Sequence, residues 1–131
     1  MHLIIDGYSD NQELLQDKAH LRNWLEDCPA RIGMNRISPP YVLRYVGPNP
    51  EDWGISGFVF IAESHISIHT FVECGYVNVD IFSCRDFDTE KAIEDLRDKF
   101  QLFKLRTCLI DREWPVEVAA TSPISFVHHV E

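Results

Sequence analysis

The run Glu63-Ser64-His65-Ile66-Ser67-Ile68-His69-Thr70, with Cys84 downstream, gathers a hydroxyl, a carboxylate, two imidazoles and a thiol on short β-rich stretches. These are the groups a chain needs to attack its own backbone and then do acid–base chemistry on a small molecule. The Ser64 oxygen, set against the carbonyl of Glu63, would turn that amide into an ester. Elimination would then break the chain at the Glu63–Ser64 junction. A strained turn there would help, because strain stored in the ground state lowers the barrier to rearrangement. The bland readings are a turn serine for Ser64 and core filler for Cys84.

His65 and His69 form an HxxxH spacing, which binds zinc when it lies on a helix. The intervening Ile66-Ser67-Ile68 favours a strand instead. There the two rings share a face but stand about 13 Å apart at ~3.3 Å per residue. One tetrahedral ion with bonds near 2 Å cannot reach both, so no metal is expected. Hydrogen-bonded sheet histidines are the simpler reading.

Strands and helices must carry these groups. Residues 2–8 read as a strand. A helix is expected from the capping residues Ser9-Asp10-Asn11-Gln12 to about Asp27, with Leu14, Leu21, Leu25 and Cys28 near one face and Pro29 as its stop. Arg36–Val46 leans to strand but contains Pro39-Pro40, and Gly47–Asp52 is a loop by composition. Strands follow over Ile55–Ala62, His65–Phe71 and Tyr76–Cys84, then a helix over about 89–101 capped by Asp88. Leu102–Ile110 is the last expected strand, and the tail from Arg112 is weakly patterned. The order β-α-β-β-β-β-α-β predicts one α+β domain over residues 1–131, a mostly antiparallel sheet with two helices on one face. The central strands are apolar on both faces. A second copy would cover the open one, so the expectation is a homodimer in an α/β/β/α sandwich.

A net charge of −9, from 21 acids against 12 bases, argues against nucleic acid as a partner. It is compatible with a small cationic substrate. No apolar run approaches the ~20 residues of a membrane span, and Met1-His2-Leu3-Ile4-Ile5-Asp6 lacks a basic leader. A cytoplasmic protein without membrane contact is expected. None of the four cysteines forms a CxxC pair, so reduced thiols are expected, with Cys28 and Cys108 as buried apolar residues.

Gly54-Ile55-Ser56-Gly57, Glu63-Ser64-His65, Ile68-His69-Thr70 and Gly75–Cys84, at these spacings, resemble the pyruvoyl-dependent S-adenosylmethionine decarboxylases of the short prokaryotic class. The resemblance is strongest over about residues 52–85. It implies a proenzyme cut between Glu63 and Ser64 into a β chain, 1–63, and an α chain, 64–131. It also implies a covalent pyruvoyl group, made from Ser64, that takes up the substrate's amine. His69 would move protons during processing, assisted by Ser56, and Cys84 would protonate the product carbon. Phe71 would stack on adenine and Glu73 would contact the ribose, with Tyr45 or Trp53 as a second aromatic. The product would supply spermidine synthesis. Val72 stands where the family usually has proline, Cys74 where a larger residue is common, and the loop Gly47–Asp52 is long. These departures leave open arginine or ornithine as the substrate, or an unprocessed binding relative.

Overall fold

The computed structural model describes residues 1–112 and 127–129. The elements are β1 (His2–Tyr8), α1 (Gln12–Leu15), α2 (Lys18–Arg31), β2 (Tyr41–Val46), β3 (Trp53–Ile61), β4 (Ser64–Phe71), β5 (Tyr76–Phe82), α3 (Thr89–Phe100), β6 (Phe103–Ile110) and β7 (Val127–His129). All strands lie in one sheet, ordered β2-β3-β4-β5-β1-β6-β7, and every pairing is antiparallel. The α+β class expected from the pattern is the one found. Because β1 sits between β5 and β6, α3 must carry the chain over it.

Period-2 alternation divides the sheet into two faces. Leu3, Ile5, Ile55, Val59, Ile66, Ile68, Val79 and Ile81 point to the helices and are fully buried against Leu15, Leu21, Leu25, Leu96 and Phe100. Each such side chain contributes roughly 1.5–3 kcal/mol, so this layer dominates stability. The other face is open. Tyr8, Tyr41, Leu43, Tyr45, Phe60, Phe71 and Phe103 stand on it, from 40% to 64% exposed. Among the described residues, no helix is long and apolar enough to cross a membrane.

The structure corrects three expectations. The first helix is two, so three helices rather than two cover the sheet. Asn11 caps α1 by accepting from the Leu14 amide. Asp17 then accepts from the His20 amide and starts α2 afresh. A side-chain cap that competes with the helical backbone explains the break. Nor does Pro29 stop α2, which runs on to Arg31. Tertiary contacts hold that last turn: Arg31 meets the Asp95 carboxylate of α3 with Nε at 2.8 Å and Nη2 at 3.0 Å, and Trp24 Nε1 donates to the same carboxylate at 3.0 Å. Burial, then the Asp95 charge, pushes the Cys28 thiol beneath it up to about 12, as befits a structural cysteine; Cys108 is only half-buried.

The third correction concerns the segment before Tyr41. Only Tyr41–Val46 joins the sheet as β2. Residues 35–38 instead lie beside the end of β3, with Arg36 opposite Ile61, and Pro39-Pro40, which has no N–H to donate, separates the two pairings. Beyond Arg112, β7 lengthens the sheet next to β6. The rest of the weakly patterned tail lies outside the described residues.

Candidate active site

The β3–β4 hairpin closes through only two residues, Ala62 and Glu63, between the paired Ile61 and Ser64. Glu63 has φ = +64°. Two-residue hairpins favour Asn-Gly or Asp-Gly, because only such residues take positive φ easily. A glutamate held there stores on the order of 1 kcal/mol or more of strain. The strained residue supplies the carbonyl of the Glu63–Ser64 bond. Next to it, the Cys84 backbone N–H donates to Ser64 Oγ at 3.0 Å, and the Cys84 thiol donates to the Glu63 carbonyl at 3.4 Å. Cys84 reaches both because β5 ends at Phe82, leaving it exposed just past the strand end. Ser64 is 7% exposed. The three residues expected around the cut therefore form one contact group. In an attack of Ser64 Oγ on that carbonyl, the thiol would draw electron density from the carbonyl and the amide would stabilise charge as the hydroxyl loses its proton.

A second group lies on the open face. Ser56 and His69 are cross-strand partners, and Ser56 Oγ meets His69 Nδ1 at 2.8 Å. They line an open pocket of about 360 Å³ whose walls include Tyr45, Trp53, Phe71 and the exposed Cys74. Gly54 lines it between Tyr45, its partner on β2, and Phe71. Those two aromatics stand two strand spacings apart, roughly 10 Å. A Cβ on Gly54 would sit 1.7 Å from the Thr70 carbonyl oxygen, so only glycine fits. Thr70, 3% exposed, shapes this end of the hairpin. Its Oγ1 accepts from the Ile55 amide at 2.9 Å and donates to the Leu15 carbonyl at 2.7 Å. Gly54→Ala is expected to cost about 1–3 kcal/mol by overpacking and to abolish substrate binding. Urea melts and substrate titration would check both, and a variant with unchanged melts and binding would remove this role.

Two expected contacts take a different form. Trp53 turns its indole N–H to Glu73 Oε1 at 3.0 Å, and the Arg44 guanidinium covers its ring at 4.5 Å. Trp53 thus orients Glu73, and Tyr45 and Phe71 remain the exposed aromatic platforms. His65 stacks on Phe58 with ring centroids 5.3 Å apart, in an aromatic row with Phe82. Gly54 and Thr70 lie in Gly54-Ile55-Ser56-Gly57 and Ile68-His69-Thr70, but strand periodicity marks them only as small and β-branched.

Within one chain the two groups do not meet. Ser64 and His69 are five residues apart on β4, roughly 16 Å at ~3.3 Å per residue. Being an odd number apart, they face opposite sides of the sheet. One copy carries the cleavage group at one end of β4 and the imidazole with the pocket at the other.

Residues 1–113 match the family model for S-adenosylmethionine decarboxylase. The chain is 37% identical over 121 residues to the S-adenosylmethionine decarboxylase proenzyme of Synechococcus sp. (strain WH7803), covering 90% of this chain and 88% of that one. It is 34% identical over 112 residues to the proenzyme of the same name from Archaeoglobus fulgidus, covering 85% and 95%. The crystal structure of the adenosylmethionine decarboxylase from Aquifex aeolicus VF5 superposes with a TM-score of 0.69 at 22% identity, over 92% of this chain and 95% of that one, a likeness of fold. With the family model spanning nearly all of the described chain, this protein belongs to the S-adenosylmethionine decarboxylase family.

Proposed function

We propose that the chain is a self-cleaving proenzyme that decarboxylates S-adenosylmethionine, the substrate in its relatives' names, and so feeds spermidine synthesis. The observation that carries this reading is the contact of Cys84 with both Ser64 Oγ and the carbonyl of strained Glu63. Ser64 Oγ attacks that carbonyl, and the Ser64 nitrogen departs as an amine, leaving an ester. Removal of the Ser64 Cα proton expels the Glu63 carboxylate and leaves dehydroalanine. Water then displaces the nitrogen as ammonia, giving chains 1–63 and 64–131, the second capped by a pyruvoyl group.

The residues at this junction suit the making of such a group, since the Cys84 amide and thiol hold Ser64 Oγ and the Glu63 carbonyl oxygen, the two oxygens that leave together in the Glu63 carboxylate. A pyruvoyl group supplies a carbonyl for the substrate's amine and a sink for the electrons released with carbon dioxide. Cys84 supplies the proton that the product carbon then needs. Tyr45 and Phe71, on either side of Gly54, suit a planar base. Glu73, Glu51 and Asp52 at the same end suit a cationic substrate.

The proton carrier for cleavage is His69, oriented by Ser56, and it comes from a second copy. The separation of about 16 Å within one chain and the exposed aromatic face both support a homodimer. An isologous two-fold contact between open faces buries those aromatics. It can also bring each copy's His69 up to the other's Glu63–Ser64 turn at the end of the β3–β4 hairpin.

Intact-mass measurement and carbon dioxide release from S-adenosylmethionine, arginine and ornithine test the proposal together. Two fragments and release from S-adenosylmethionine alone are expected. One uncut chain with no release would overturn it, and release from arginine or ornithine would reassign the substrate. Cys84→Ala should cut itself more slowly, keep the new N-terminus, and turn over roughly 100-fold slower or worse. Normal turnover would remove Cys84 from the mechanism.

A further inference from the structure

We propose that residues 35–38 form a clasp that positions the Glu63–Ser64 bond for cleavage, an inference that rests on the self-cleavage reading. Strand β2 pairs with β3 only over Trp53–Phe58. The last residues of β3, just before the turn, are held by the clasp instead. The Ala62 amide donates to the Asn35 carbonyl at 2.8 Å, and the Ile37 amide donates to the Phe60 carbonyl at 3.0 Å. The Phe60 amide donates to Ser38 Oγ at 3.1 Å. Arg36 Nη1 braces the segment from within by donating to the Ser38 carbonyl at 2.8 Å.

The turn needs such a support. A glutamate at φ = +64° relaxes toward negative φ unless its neighbours forbid it, and Ala62-Glu63 is not a sequence that selects this turn. Downstream, Cys84 holds Ser64 and the Glu63 carbonyl. Upstream, the clasp holds Ala62. With both ends fixed, rotation of the Glu63 peptide away from Ser64 Oγ is blocked; with the upstream end free, the carbonyl leaves the line of attack. Asn35, Arg36 and Ile37 are exposed and sit outside the core. The clasp is therefore separable from folding, which distinguishes it from a plain cover for a sheet edge.

The test follows cleavage of the newly translated full chain on denaturing gels, for wild type, Ser38→Ala and Ile37→Pro. Each variant loses one clasp hydrogen bond and is expected to cut about fivefold slower. The melting temperature should hold, as should kcat once the chain is cut. An uncut wild type overturns the clasp together with self-cleavage. A wild type that cuts, with variants that cut equally fast, overturns the clasp alone. Slower cutting matched by a fall in melting temperature also overturns it, as that is what simple edge support would give. Should Ile37→Pro fail to fold, Ser38→Ala carries the same outcomes.

Discussion

Ser64→Ala stays a single polypeptide and releases no carbon dioxide from S-adenosylmethionine. The substitution removes one oxygen, and that oxygen is the hydroxyl proposed to attack the strained carbonyl. Alanine fits the space, and the lost acceptor leaves one Cys84 amide unpaired, a cost of about 1–3 kcal/mol. The core of Ile61, Ile66 and Ile81 around it is untouched, so the variant folds. Its activity falls to background, because neither the new N-terminus nor its carbonyl forms. Intact mass reads the uncut chain and labelled carbon dioxide reads the missing turnover. A cut or active variant would remove Ser64 from its role.

His69→Ala is the second large effect, and its rescue is more informative than its loss. Alone, the variant should remain uncut, because the imidazole proposed to move protons during elimination is gone while Ser56 keeps its place on β3. Co-expressed with Ser64→Ala, about half of the mixed junctions combine an intact Ser64 with an intact His69 from the other copy. The His69→Ala chains are then cut, although each lacks its own histidine. A site complete within one chain gives no rescue at all. The two outcomes separate cleanly on a denaturing gel if the two chains carry tags of different mass.

Much of this was legible in the residues. The alternation of Ile66, Ile68 and Thr70 with His65, Ser67 and His69 fixes which groups share a face of β4, and the same period in β3 and β5 gives the antiparallel core. The separation of Ser64 from His69 was also implicit there, since five positions along a strand is an odd step of about 16 Å. Grouping residues by role in a known family hid it, because a role does not say which copy supplies the side chain. The break between α1 and α2 was not legible. Asp17 is one of several polar residues on the exposed side of a helical pattern, and its capping contact is a local competition that periodicity does not register. Pro29 misled for the opposite reason: Asp95, more than sixty residues away, holds the turn that contains it. Trp53 could be picked out as an aromatic near the pocket, but its bond to Glu73 depends on how β3 and the β4–β5 turn meet.

The placement of β1 decides what scission does to the molecule. That strand belongs to the upstream fragment yet lies between two strands of the downstream one. The β3–β4 ladder also crosses from one fragment to the other. Three antiparallel seams therefore stitch the two pieces together, and losing a single amide opens none of them. Cut at the proposed junction, the protein would be an interwoven pair of polypeptides that must unravel as a unit, so activation would be irreversible in its chemistry while leaving the architecture whole.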